Sequence, residues 1–376
     1  MRQKLWLAFV CLALASCNSN QTQEPTDIVI GEFGSLTGTT ATFGISTRNG
    51  IDMAIEEINK TGGLLGKKVR VIVEDDQGKP EEAQTVVTKL ITKDQVVALL
   101  GEVASSRSLA AAPVAQSSGI PMISPSSTTP KVTEVGDYIF RVCFIDPFQG
   151  FVMAKFAANT LKVKNAAILR DIKNDYSVGL ADVFIENFKN LGGTIVADES
   201  YSEGDTDFSA QLTSLKAKNP EVIFLPGYYT EAGLIARQAK KLGITAPLLG
   251  GDGWDSPKLI EIGGEALNGS YFSNHYSQDD PSPIIQKFVA DYKAKYNEAP
   301  DALAGLGYDS AAVLFDAIKR ANSVEPAKIR DAIAQTKDFQ GVTGRITIDA
   351  QRNAVKPAVV LQVKDGKLAY METVTP

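Results

Sequence analysis

From Asp27 onward, short apolar runs alternate with longer stretches whose apolar residues recur at helical spacing. Ile28-Val29-Ile30 opens a strand that ends at Phe33-Gly34. Residues 43–60 then carry Ile51, Ala54, Ile55 and Ile58 on one helical face until Gly62-Gly63 stops them. Residues 68–75 predict a strand, and 80–92 a helix opened by a proline and two acids. A strand at 96–100, a helix at 105–118 and a short strand at 121–124 follow. Alternation of this kind predicts parallel sheets with crossover helices.

The pattern then restarts. Residues 166–169 predict a strand and 177–190 a helix, closed by Gly192-Gly193 as Gly62-Gly63 closed its counterpart. A strand at 194–199, a helix at 208–216 and a strand at 222–225 follow, the last ending at Pro226-Gly227 as the earlier one ended at Gly101. Order and spacing repeat although identities barely match, so the layout predicts one α/β module per lobe. Strands at 248–249 and 270–273, helices at 284–296, 302–321 and 326–336, and alternating strands from Arg345 complete the chain, with a hairpin turn at Lys364-Asp365-Gly366-Lys367. Asp146-Pro147 and Gln278-Asp279-Asp280-Pro281 are the linker candidates, with a further crossing between Ala350 and Pro357. The expected division is residues 27–146 plus 278–353 for one Rossmann-like lobe and 147–277 plus 354–376 for the other, joined by a hinge of several crossovers.

The first residues follow a different pattern. Arg2 and Lys4 precede a nearly unbroken apolar run over residues 5–15, too short to span a bilayer. The run has the length of a signal-peptide core and ends in Leu14-Ala15-Ser16-Cys17. This box resembles the bacterial lipoprotein signal. That resemblance implies cleavage after residue 16 and acyl chains on Cys17 that tether an exported body to a bacterial membrane, facing the periplasm or the cell exterior. The alternative is an ordinary signal peptide in which Cys17 is incidental. Residues 18–26 are polar and read as a flexible tether.

Composition narrows the function classes. The formal charge is −6, and it becomes two units more acidic once Arg2 and Lys4 are removed, which argues against nucleic acid as a partner. With Cys11 lost and Cys17 acylated, Cys143 stands alone and no internal disulfide can form. A lone histidine, His275, leaves no Cys/His metal cluster and little catalytic equipment. It is read as a surface or hinge residue. Gly62-Gly63-Leu-Leu-Gly66-Lys67 has neither Walker nor dinucleotide spacing, so a nucleotide-dependent enzyme is disfavoured. No enzyme activity, cofactor or metal is expected.

In open parallel sheets, ligands bind beyond the carboxyl ends of the strands, at helix starts. Those ends carry Ser105, Ser126 and Thr128 in the first module, and Tyr176, Tyr228, Asp252 and Trp254 in the second. Hydroxyls and free amides at a helix start suit a carboxylate, and Asp252 suits an ammonium group. Phe43, Tyr176, Tyr228 and Trp254 can wall the space between them. That set fits an α-amino acid. Each residue also has a plainer reading: Ser105 as a helix cap, Asp252 as a brace for its glycine-rich turn, Trp254 as core. Glu102 and Arg107 are read as solvated.

Several segments together carry a family pattern: Gly34-Ser-Leu-Thr-Gly38 with Phe43-Gly44, residues 50–59, Gly62-Gly63, residues 101–106, and Ile123-Ser-Pro-Ser-Ser-Thr-Thr-Pro130. Asp175-Tyr176, Gly227-Tyr228-Tyr229 and Gly251-Asp252-Gly253 add to it. On these the chain resembles the leucine/isoleucine/valine-binding proteins of bacterial ABC importers, which have the type I periplasmic binding fold. The resemblance implies that Ser105 holds a ligand carboxylate, that Ser126, Thr128, Tyr176 and Tyr228 contact the ligand, and that Asp252 takes its ammonium group. It also implies a monomer that closes by hinge bending and hands its ligand to a membrane permease. The family's leucine-binding members carry tyrosine where Phe43 stands and glutamate where Asp252 stands, and have a disulfide near the site. These departures leave open an amide, an aromatic acid or another small carboxylate as ligand, and a sensing role in place of transport.

Overall fold

The computed structural model describes residues 27–376. The signal segment 1–16, Cys17 and the tether to residue 26 lie outside the described residues.

Two sheets are built from the same plan. The first comprises β1 (Ile28–Gly34), β2 (Val69–Asp75), β3 (Leu99–Leu100), β4 (Met122–Ser124) and β5 (Ile139–Arg141), in the order β2-β1-β3-β4-β5. All its neighbouring pairs are parallel. The second begins with β6 (Asn165–Asp171), β7 (Thr194–Tyr201), β8 (Val222–Phe224), β9 (Leu248–Gly250) and β10 (Tyr271–Asn274). These lie in the order β7-β6-β8-β9-β10, again parallel throughout. The repeated layout in the sequence is therefore a repeated topology. In each sheet strand order reverses between the first and third strands of the module, which is where an open α/β sheet leaves a crevice.

Helices α1 (Ala41–Lys60), α2 (Pro80–Thr92), α3 (Ser105–Ser118) and α4 (Lys131–Glu134) belong to the first module. Those of the second are α5 (Asp146–Lys155), α6 (Asp175–Asn190), α7 (Ser209–Ala217), α8 (Tyr229–Lys241) and α9 (Pro257–Gly263). Their ends follow local chemistry. Pro80 opens α2 with Glu81 and Glu82 in the first turn. Asn174 caps α6 by accepting from the Tyr176 amide at 3.0 Å. Asp146-Pro147, expected as linker, opens α5 just after the chain leaves β5, with Pro147 in the first turn where its missing amide costs no helical bond. Helix α8 is an addition to the expected elements; it buries Tyr229, Glu231 and Ile235 beside Ala232, Gly233, Ala236 and Ala239.

The chain returns to the first module with α10 (Pro283–Tyr296), α11 (Ala302–Ala321) and α12 (Pro326–Ala334). Helix α11 lies against α1 so closely that a Cβ on Gly50 would sit 1.9 Å from the Ala304 carbonyl oxygen, and one on Gly307 would sit 2.3 Å from that of Thr47. A small antiparallel sheet of β11 (Phe339–Gly341), β12 (Gly344–Ile348) and β13 (Ala354–Val355) follows. Last, β14 (Ala358–Lys364) and β15 (Lys367–Val374) extend the second sheet in antiparallel pairing beside β10. The chain thus passes between the modules after β5, after β10 and between β13 and β14. One apolar core runs from Ile30 and Leu100 through Phe144 and Tyr228 to Phe224 and Val360, so the modules share packing across their facing ends. A second cluster around Phe33, Val87, Leu90 and Ile139 fills the other face of the first sheet.

Candidate functional site

The strand ends of the two modules face one another across a narrow, largely enclosed space.

On the first side, β3 runs into the start of α3. The residue before the helix is Ala104, whose side chain cannot cap it. Ser105 is the first helical residue, not the cap. The Arg107 and Ser108 amides bond the Ala104 carbonyl at 3.2 and 3.0 Å. The two earlier amides of the turn are those a ligand can take, at the positive end of the helix. The loop after β4 divides its hydroxyls by position. Ser124 and Ser127 donate to the Glu102 carbonyl at 2.6 and 3.1 Å and tie the loop to the α3 start. Ser126 and Thr128, at the alternating positions, line the cavity. Buried Arg141 fixes the loop further by donating to the Ser127 and Thr129 carbonyls.

The second side is aromatic and acidic. Tyr176, in the first turn of α6, accepts from the Gly253 amide at 3.2 Å. Its hydroxyl reaches that amide only because residue 251 is glycine; a Cβ there would lie 2.3 Å from the phenol oxygen. Tyr176 stacks on Tyr228 with centroids 5.6 Å apart, and Phe43 from the first module meets Tyr228 edge-on at 5.3 Å. Asp252 follows β9. Its amide donates to Gln149 Oε1 at 2.8 Å, and Ser273 Oγ donates to the same oxygen at 2.7 Å.

Asp252 Oδ1 is buried beside this space and lacks a partner, while the Thr128 hydroxyl is engaged with the Asp146 carboxyl. Buried polar atoms are ordinarily paired, so an orphaned carboxylate oxygen at the cavity suits a cationic donor. Asp146 lies below it. Burial pushes its carboxyl up to about 8; Asp252 adds to the rise, while the Thr128 hydroxyl and Arg141 pull it down.

The structure brings together Phe43, Ser105, Ser126, Thr128, Tyr176, Tyr228 and Asp252 around one cavity. It does not bring Trp254 there. The 3₁₀ turn at Asp252–Trp254 rotates the indole into the core, where it packs over Gly250 and donates from Nε1 to the Leu225 carbonyl at 3.1 Å. Val103 and Gly253, at the same strand ends, also line the cavity, and Leu303 enters it from α11 without having been expected. Three charged or polar residues are also corrected. His275 is buried, not at the surface, with Nε2 3.0 Å from Asp252 Oδ2. Glu102 and Arg107, expected in solvent, are buried. Glu102 accepts from the Ser35 amide at 3.2 Å and Ser35 Oγ at 2.9 Å, and lies 3.9 Å from Arg107. Arg107 reaches across to Glu203 of the second module at 3.2 Å. Ser106 does the same toward Asp175 at 3.0 Å.

Two modules of one topology, closed over a small cavity at their crevices, define a two-lobed solute-binding protein. The chain belongs to the Periplasmic binding protein family, which matches residues 27–367. It is 34% identical to a Leu/Ile/Val-binding protein of Rhizobium johnstonii, BraC3, over 85% of this chain and 87% of that one. Among solved structures it resembles a leucine-binding protein, LivK, of Thermotoga maritima (TM-score 0.90, 43% identity, 93% and 99% of the two chains). It also resembles a branched-chain amino acid transporter substrate-binding protein, LivJ, of Streptococcus pneumoniae, solved with isoleucine (TM-score 0.89, 38% identity, 93% and 100%).

Proposed function

We propose that this protein is the solute-binding component of an ABC importer and captures a branched-chain α-amino acid by closing its two lobes around it. The observation that carries the reading is the pairing of poles across one small cavity. Unpartnered Asp252 Oδ1 stands for the ammonium group, and the start of α3 with Ser105 stands for the carboxylate. Phe43, Val103, Tyr228 and Leu303 offer an apolar surface to the side chain. The relatives that bind leucine, isoleucine and valine support the same solute class.

A ligand at 100 times its dissociation constant adds about 2.7 kcal/mol of stability. A thermal-shift screen of the standard amino acids therefore tests the proposal: leucine, isoleucine or valine raises the melting temperature most. A screen in which none of them shifts it, while another small carboxylate does, sinks the amino-acid reading and keeps the binding-protein one. In the same reading the chain is exported, cleaved before Cys17, acylated there and tethered beside its permease as a monomer. Mass spectrometry of the detergent-extracted protein tests this; an intact N-terminus or an unmodified Cys17 overturns it.

A further inference from the structure

We infer that His275 is a positioning residue for the ammonium pole: its imidazole occupies one oxygen of Asp252 and thereby leaves the other for the ligand. The inference rests on the amino-acid reading above and deepens it.

The two oxygens of Asp252 are not equivalent. Oδ2 lies 3.0 Å from His275 Nε2 and accepts a longer bond from Ser126 Oγ at 3.4 Å. Oδ1 is buried and has no partner. A carboxylate offers only lone pairs, so Nε2 carries the ring proton and Nδ1, which has no partner either, carries the lone pair. Burial favours the neutral ring by lowering its pKa, against the opposing pull of Asp252. A neutral imidazole directs the carboxylate without cancelling its charge, which stays available to a cation. A lysine or arginine at this place would neutralise it.

His275 is itself held rigidly. Its ring stacks on Phe144 with centroids 3.9 Å apart. Its amide donates to Asn274 Oδ1 at 2.8 Å. The Asn274 side chain donates to Asp255 Oδ2 at 2.9 Å, and the same oxygen accepts from the Ala302 amide, at the start of α11, at 2.7 Å. The residue that aims Asp252 thus sits where the chain passes from β10 back to the first module, anchored on both sides of that passage. Without its N–H, Oδ2 would keep only the long bond from Ser126 Oγ, and Asp252 would be free to turn away from the ligand's position.

The test compares two substitutions with opposite chemistry. His275→Phe keeps a ring against Phe144 and removes the donor; His275→Gln keeps a donor of similar reach and removes the ring. Calorimetry measures leucine, and competition measures 4-methylpentanoate, which is leucine without its amino group. His275→Phe is expected to weaken leucine by about tenfold or more, to leave 4-methylpentanoate unchanged and so to narrow the discrimination between them. His275→Gln is expected to bind leucine more tightly than His275→Phe does. Leucine binding that follows packing instead, with Phe better than Gln, overturns the inference, as does an equal loss for both probes. Wild-type protein that binds no amino acid overturns the reading beneath it as well, and is recognised before any variant is measured.

Discussion

The two modules share a strand order and differ in what they bring to the cavity. The first offers neutral donors: an uncapped helix start with Ser105, and Ser126 on a loop that Ser124 and Ser127 tie to the Glu102 carbonyl. The second offers a carboxylate and two stacked phenols on a floor of Asp146, Gln149 and His275. Donors that act in parallel share the ligand's anion, so the loss of one is softened by the rest. A single acid facing a cation has no understudy. The same fold therefore yields one wall that tolerates substitution and one that does not.

The largest expected effect lies on the acidic wall. Asp252→Ala should weaken amino-acid binding by roughly 2–5 kcal/mol, because it leaves a buried ammonium unpaired; unchanged affinity by calorimetry would remove Asp252 from the site. Among the residues lining the cavity, Ser105, Ser126 and Thr128 have no side chain that titrates near neutral pH, so a pH effect at the site is sought on the acidic wall. Asp146 is protonated below about 8 in the ligand-free closed form. A nearby ammonium favours its ionised form, so binding releases a proton in that window. Affinity should then rise with pH from ~6 to ~8, by at most about tenfold per unit. Calorimetry in buffers of different ionisation enthalpy counts the proton, and Asp146→Asn should abolish its release.

Smaller effects are expected on the hydroxyl wall. Ser105→Ala should cost about 1 kcal/mol of binding, the size of one hydrogen bond among several; a loss as large as that of Asp252→Ala would erase the contrast between the walls. Glu203→Gln removes the partner that Arg107 finds across the cleft. Because Glu203 is partly exposed, a loss of about 0.2–1 kcal/mol, with weaker salt dependence, is expected in titrations at two ionic strengths. Trp254→Phe should leave affinity within a factor of ~2 while lowering stability by about 1–3 kcal/mol through the orphaned Leu225 carbonyl. A selective loss of binding would return the indole to the cavity.

Much of this was legible in the sequence because it depends on local order. Alternating strands and helices predict the parallel sheets, and the rule that sites lie at strand ends selects Ser105, Thr128, Tyr228 and Asp252. What escaped depends on distance or on a turn's rotation. Glu102 and Arg107 read as solvated because their partners, Ser35, Thr40 and Glu203, lie 67 to 96 residues away. His275 finds Asp252 across 23 residues, and Leu303 enters from the helix that returns late to the first module. Trp254 stands two residues after Asp252, and a 3₁₀ turn sends it the other way. Helix α8 escaped although Tyr229, Ala232, Ile235, Ala236 and Ala239 recur on one face at helical spacing.

The late strands β14 and β15 and the late helix α11 set the order in which the molecule can be made. The second sheet lacks its antiparallel edge until residues 358–374 are present, and α1 lacks its covering helix until residues 302–321 arrive. Contacts of such long sequence separation form slowly and only on a complete chain. A nascent chain of this protein therefore cannot edge its second sheet or cover α1 until its last quarter is made, although the cluster around Phe33, Val87 and Ile139 draws only on residues up to 139.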